Sequence, residues 1–252
     1  MPNYNSPALD KGLDILEYLS LNSTPQSQTE IAIGSDRKPN EIYRMLICLE
    51  ERGYIMRNKI SGKFSLSLKL YHLSHQHSSV NSIKEAALYP MQALSEFSKQ
   101  SCHLSILYKN KVLIIAQSLS TGPISLSIQD GSLFPLYKTT SGRVILSQLM
   151  EKERLIYLKK DQHFNQLSEK NGKIYLTEVN NISKSGSIIM NSETTHGVTD
   201  IAIPFGVKKI NIVGSLTVTI LSSQISETVT LQKILSKSKV TVENIYKNMG
   251  IN

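Results

Sequence analysis

The sequence contains no tryptophan and only two cysteines, Cys48 and Cys102. The pair cannot staple a chain of 252 residues, and it lacks zinc-ligand spacing, so reduced thiols in a cytosol are expected. Long apolar runs are missing. The longest, Val112 to Ala116, is far short of the roughly 20 residues a membrane-spanning helix needs. The opening Met-Pro-Asn-Tyr-Asn-Ser-Pro lacks the basic and then apolar pattern of a signal peptide. A cytoplasmic protein with no membrane partner is the expectation. Catalytic patterns are equally scarce: no G-x-S-x-G elbow, no phosphate-binding G-x-x-x-x-G-K-[ST] loop and no H-E-x-x-H pair. Ser236 to Lys239 fits S-x-x-K, but in a Lys/Ser-rich helix with no oxyanion partner in view.

The chain does have apolar residues to fold with. They make up 40% of the total, enough for a real core, so wholesale disorder is excluded. Its length suits one large domain or two small ones. The net charge of +8 fits an anionic partner, but its distribution matters more than its sum. Residues 1–78 carry 9 basic against 8 acidic side chains, and residues 79–252 carry 19 against 12. Within the balanced first part, Gly53 to Leu70 holds Arg57, Lys59, Lys63 and Lys69 with no acid among them.

Around that basic stretch, spacing predicts three short helices and a hairpin. Ser6-Pro7 fits an N-cap followed by proline at the first helical position. Leu9, Leu13, Leu16 and Leu19 then recur at helical spacing. Ser27-Gln-Thr-Glu30 fits a capping box, which predicts a second helix over 28–33. Pro39 opens a third helix with Ile42, Met45, Leu46 and Leu49 inward, Asn40, Tyr43 and Arg44 outward, and Cys48 as core packing. Tyr54 to Arg57 and Lys63 to Leu68 read as paired strands, since Phe64, Leu66 and Leu68 alternate with serines. This is a winged helix-turn-helix. A slim helix can enter the major groove of double-stranded DNA while a basic hairpin lies on phosphates. The residues expected there are Arg37, Lys38, Asn40, Tyr43, Arg44, Arg57, Lys59 and Lys63.

Beyond the hairpin, Tyr71 to Val80 is a polar linker. His72, His75 and His77 fall there with no cysteine or carboxylate to complete a metal site, so no metal or cofactor is expected. Ile83 to Gln100 reads as a long helix. From Cys102 onward strands and helices alternate. Strands are expected at 102–108, 112–117, 125–128, 187–190, 198–205 and 212–221, and helices at 139–150, 151–160, 176–185 and 223–248. A mixed sheet flanked by helices makes the fold class α+β. Cys102 and His103 are adjacent on a strand and must point to opposite faces, which argues against a Cys–His nucleophile pair.

Taken in order, these segments resemble the IclR family of bacterial transcriptional regulators. The resemblance rests on Ala8 to Leu16, Glu41 to Tyr54, Phe64 to Leu70, Gly131 to Leu136 with Thr139 to Leu146, and Gly197 to Pro204 with Val213 to Val218. It differs at the turn before the third helix, where relatives often carry glycine at the position of Asp36 and the nearest glycine here is Gly34. The resemblance implies a DNA-binding domain over 1–70, a linker and long helix over 71–100 that carries dimer contacts, and a GAF-like effector-binding domain over 101–252. It also implies a homodimer or dimer of dimers on a palindromic operator in the bacterial nucleoid, acting more often as repressor than activator. The effector, an organic acid or sugar acid, is expected near Thr140, Ser141 and Gly142, where a helix N-terminus attracts a carboxylate. Thr217 and Thr219 share one strand face and could complete that site, and family positions add Met190 and Asp200. Two other readings stay open at this point: a small-molecule-processing enzyme with an accessory winged helix, and a winged helix that binds protein.

Overall fold

The structure is a computed structural model that describes residues 6–76, 79–224 and 230–251. The chain divides into two compact units, Met1–Ser78 and Ser79–Asn252. The first holds α1 (Pro7–Ser20), α2 (Gln28–Gly34), α3 (Pro39–Glu51), the hairpin β1 (Ile55–Arg57) and β2 (Phe64–Leu66), and α4 (Lys69–Gln76). Its core gathers Ile15, Leu19, Ile31, Ile42, Leu46 and Phe64. The expected stripe of α1 is turned relative to the sequence reading: Ile15 and Leu19 are buried, while Leu9 and Leu13 are 60% and 47% exposed. Ser6 also makes no side-chain cap. The capping box of α2 forms in full, with Ser27 Oγ accepting from the Glu30 amide and Glu30 accepting from the Ser27 amide. The Ser27 amide first, then the Ser27 hydroxyl and Lys63, hold the Glu30 carboxyl down at about 2. Cys48 is exposed rather than packed, because Ile42 and Leu46 already fill the inner side of α3.

Two residues share the work of the turn between α2 and α3. Gly34 sits under the Tyr18 ring, where an added Cβ would lie 1.9 Å from a ring carbon. Asp36 takes the left-handed conformation, with φ at +54°, which aspartate tolerates better than most residues with a side chain. Close approach and backbone reversal thus fall on different residues, and the missing glycine at position 36 is accounted for.

The second unit opens with α5 (Ser79–Ser98), which the sequence reading counts with the linker. Six strands follow in the order β5-β4-β3-β8-β7-β6. They are β3 (Ser101–Tyr108), β4 (Lys111–Ser118), β5 (Leu133–Pro135), β6 (Ile188–Asn191), β7 (Val198–Val207) and β8 (Ile212–Leu221). Every pairing among the described residues is antiparallel, so the sheet is not mixed. Short returns impose this. Lys109 turns β3 into β4 with φ at +53°, and Asn211 turns β7 into β8 with φ at +52°. The expected strand over 125–128 is a loop instead. The Gln117 side-chain carbonyl accepts from the Ile128 amide (3.1 Å), replacing a ladder of backbone bonds.

Helices cover both faces of this sheet. On one face α5 and α10 (Leu231–Asn248) bury Met91, Leu94, Ile234 and Ile245 against Cys102, Leu104, Val218 and Ile220. On the other lie α6 (Thr140–Ser147), α7 (Glu151–Leu158), α8 (Gln162–Asn165) and α9 (Glu169–Ser185), which pack Ile145, Leu146, Leu158 and Val179 against Val112 and Ile114. The last helix starts at Leu231, not at Ser223, and α9 starts well before the Leu176 that its apolar spacing indicated.

The α2–α3 turn gives a direct stability test. Asp36→Gly should leave the melting temperature unchanged or raise it, while Asp36→Val should cost about 1–2 kcal/mol. Gly34→Ala should be worse than Asp36→Gly, because the Tyr18 ring must move. Equal loss in all three would show that neither conformation nor contact controls the turn.

Candidate functional site

In the first unit, α3 presents Asn40, Tyr43 and Arg44 to solvent, with Lys38 just before its first turn. The wing is built beside them from its own contacts. Arg57 donates to the Gly62 carbonyl (3.2 Å) and lies 5.3 Å from the centre of the Phe64 ring. Asn58 accepts from the amides of Ile60 and Ser61, which shapes the tip around exposed Lys59. Lys63 is not a free cation: it pairs with Glu30 at 3.2 Å. Arg37 is likewise engaged, donating to Asp14 through Nε and Nη2 at 3.1 and 2.7 Å. Within the expected basic set, Arg37 and Lys63 are therefore tied down and Arg57 is braced by the wing. Lys38, Arg44 and Lys59 form no ion pair among the described residues. His72 belongs to α4, while the His75 and His77 side chains lie outside the described residues.

The second unit encloses a cavity of about 350 Å³ on the α6 side of the sheet. Its construction begins at Thr139, whose Oγ1 accepts from the Gly142 amide (3.0 Å) and so caps α6. Gly142 itself lies against the Leu136 carbonyl, where a Cβ would come within 1.9 Å of the oxygen. The first amides of a helix have no intrahelical partner, and here those of Thr140 and Ser141 come first. Thr140 Oγ1 donates to Asp200 Oδ2 (2.8 Å). Ser141 Oγ shares bonds with Thr217 Oγ1 (2.9 Å) and His103 Nε2 (3.2 Å). Val112, Ile114 and Phe134 supply an apolar wall, and the loops around Ile128 and Thr194 supply the rest.

Of the expected effector residues, Thr140, Ser141, Asp200 and Thr219 line this cavity. Gly142, Met190 and Thr217 do not. Gly142 is pressed into the chain before it, and Thr217 is buried one layer behind Ser141. Met190 is the cross-strand partner of Asp200; in an antiparallel pair this sets the residues side by side without making both line the same cavity. Sequence reasoning missed His103 and Phe134. No local signal marks His103; only the β3–β8 register, which sets it opposite Thr217, puts those two residues on one face. Cys102 points the other way, into the α5 face, with Sγ near the Met91 carbonyl (3.5 Å), and burial pushes its thiol up to about 12.

The charge state of the cavity follows from burial. It holds His103 neutral, with its pKa down at about 4. It also raises the Asp200 carboxyl, against the opposing hydrogen bond from Thr140. Thr219 lies close enough to favour the ionised Asp200, yet its buried hydroxyl meets no partner in hydrogen-bond geometry. Behind the cavity, Arg143 is clasped by Glu178 and Glu193 and stacks 4.5 Å from the Tyr175 ring centre.

Two family descriptions match the chain: the IclR helix-turn-helix domain over residues 8–59, and the bacterial transcriptional regulator IclR C-terminal domain over residues 75–247. The chain belongs to the IclR family. Members of this family are DNA-binding transcriptional regulators with a C-terminal effector domain, and the chain has both parts. Among curated relatives, the chain is 22% identical over 222 residues to the HTH-type transcriptional regulator XynR of Escherichia coli K12, covering 87% of this chain and 88% of that one. It is 28% identical over 119 residues to KdgR of the same strain, covering 47% and 45%. Among solved structures, an IclR homolog from Microbacterium hydrocarbonoxydans complexed with 4-hydroxybenzoate matches with a TM-score of 0.80 at 16% identity, over 96% of this chain and 99% of that one. That likeness is one of fold. The curated relatives are named as transcriptional regulators. No helix among the described residues is long and apolar enough to cross a membrane.

His103 should make stability fall on mild acidification. In the unfolded chain it takes up a proton near 6.5, and in the folded protein only near 4. The unfolded state therefore binds more protons in that window, and the loss by its lower end is roughly 3 kcal/mol. Asp200 acts in the opposite sense, since its raised carboxyl keeps a proton longer in the folded state. Urea midpoints measured from pH 7 to 4 should fall less steeply in His103→Gln than in the wild type. Parallel curves would remove His103 as the cause.

Proposed function

We propose that this protein is an effector-controlled transcription factor, most simply a repressor, that binds a palindromic operator as a homodimer or dimer of dimers. The observation that carries this reading is the exposed side of α3, bearing Asn40, Tyr43 and Arg44, in the same small unit as a wing with Arg57 and Lys59 at its tip. Asn40, Tyr43 and Arg44 meet base edges or the phosphates beside them, and Lys38, Arg57 and Lys59 hold the backbone. Lys63 reaches phosphate only by leaving Glu30, and Arg37 acts mainly by fixing α1 through Asp14. Exposed Leu9 and Leu13 on α1, with Tyr71 and Leu73 on α4, favour a self-associated form that covers them. The protein works at the DNA in the bacterial cytoplasm.

The cavity beside α6 is the effector site in this reading, formed by Thr140, Ser141, Asp200 and Thr219. Gly142 and Thr217 support it from behind, and Met190 stands beside it on β6. A small organic effector, an organic acid or sugar acid with a single carboxylate, suits its size and the free amides of α6. Occupancy changes DNA affinity by the ratio of its affinities for the two states of the protein.

Footprinting on the DNA upstream of the protein's own gene tests the proposal. A protected palindrome is expected, and failure of any specific complex to survive excess nonspecific DNA would overturn operator binding there. Arg57→Ala with Lys59→Ala should weaken binding on every sequence and reduce the salt slope by roughly one for each phosphate that is no longer neutralised. Arg37→Ala should lower the melting temperature and leave that slope nearly unchanged.

A further inference from the structure

The cavity is built for hydrogen bonding but has no cation in its wall. The one carboxyl in its wall is Asp200, His103 is neutral, and no lysine or arginine among the described residues lines it. The nearest buried arginine, Arg143, faces two carboxylates, Glu178 and Glu193, and is more than neutralised by them. Glu193 belongs to the same loop as Ser192 and Thr194, which line the cavity. A basic protein therefore carries an acidic neighbourhood around this site. A second anionic group on a ligand would meet Asp200 with nothing to compensate it.

The polar end has a definite grammar. Asp200 Oδ2 accepts from Thr140, Ser192 also lies close enough to favour the ionised form, and a carboxylate has further acceptor capacity. The unpaired amides at the start of α6 donate. Thr219 is 8% exposed, lines the cavity and holds a hydroxyl with no partner. Opposite them, Val112, Ile114 and Phe134 offer only apolar surface.

We propose that the cavity selects a small half-apolar ligand carrying a hydroxyl beside a carbonyl, carboxylate or second hydroxyl, with that hydroxyl donating to Asp200, and rejects dianions. This deepens the effector reading above and rests on it. The ligand oxygen next to the hydroxyl accepts from the α6 amides, Thr219 bonds to either oxygen, and the apolar body lies on Phe134 and Ile114. Asp200 is the specificity-determining residue.

Four matched probes decide it by titration calorimetry on the full chain: mandelate, 1-phenyl-1,2-ethanediol, phenylacetate and phenylmalonate. The first two carry the hydroxyl, the third lacks it, and the fourth replaces it with a second carboxylate. The hydroxylated pair should bind roughly tenfold or more tighter than phenylacetate, as a hydrogen bond to a charged acceptor allows. Phenylmalonate should not bind. Asp200→Asn should reduce the preference for the hydroxyl to a few-fold at most. Thr219→Val, which keeps the shape and leaves Asp200 in place, should weaken mandelate while retaining its lead over phenylacetate. Phenylacetate or phenylmalonate binding as well as mandelate, with binding abolished by the cavity-filling Ser141→Trp, would overturn the ligand class and keep the effector site. No binding by any probe would overturn both.

Discussion

The Thr139 hydroxyl holds the Gly142 amide, and the Leu136 carbonyl presses on the Gly142 α-carbon. The second unit depends on this entry into α6. It sets Thr140 on Asp200 of β7 and Ser141 between Thr217 of β8 and His103 of β3. One turn of helix thereby ties three strands together through side-chain hydroxyls. The next residue after the glycine, Arg143, carries the same turn outward to α9 and to the loop after β6. The only residue that fits between the cap and the carbonyl is one without a side chain.

The two faces of the sheet divide structure from chemistry. Cys102 and His103 are neighbours, yet one is sealed under α5 and the other opens to the cavity. The α5–α10 side is an apolar layer whose loss would cost stability in the usual way, about 2–5 kcal/mol for each large aliphatic side chain cut to alanine. The α6 side keeps hydroxyls, a neutral imidazole and one carboxylate in a space that could have been filled with leucine. Burying such groups is costly unless they are bonded, and nearly all of them are bonded to each other.

Elements set by local chemistry were readable in the residues. The capping box at Ser27, the proline start of α3 and the period-two strands of the wing each carry their cause within a few positions. The order of motifs identified the family, and the alternation of Thr217 and Thr219 placed them on one face. What could not be read required partners distant in the chain. The buried side of α1 depends on where α3 lies, so Ile15 displaced Leu13 from the core. The segment 125–128 has strand-like composition, but its amide is claimed by the side chain of Gln117. Asp36 looked like a departure from the family until Tyr18, far back on α1, explained why the glycine stands at 34. Charge misled in the same way. Lys63 and Arg37 read as free cations, and only the fold shows the carboxylates they meet.

Glu30 has two commitments. It closes the capping box of α2 and also holds Lys63 where the turn of the wing enters β2, next to the point where the Gln26 backbone pairs with Phe64. Helix α2 and the β1–β2 hairpin are thus held together by one side chain. A substitution at Tyr43 or Lys59 touches one element, whereas a change at position 30 alters the helix cap and the wing together.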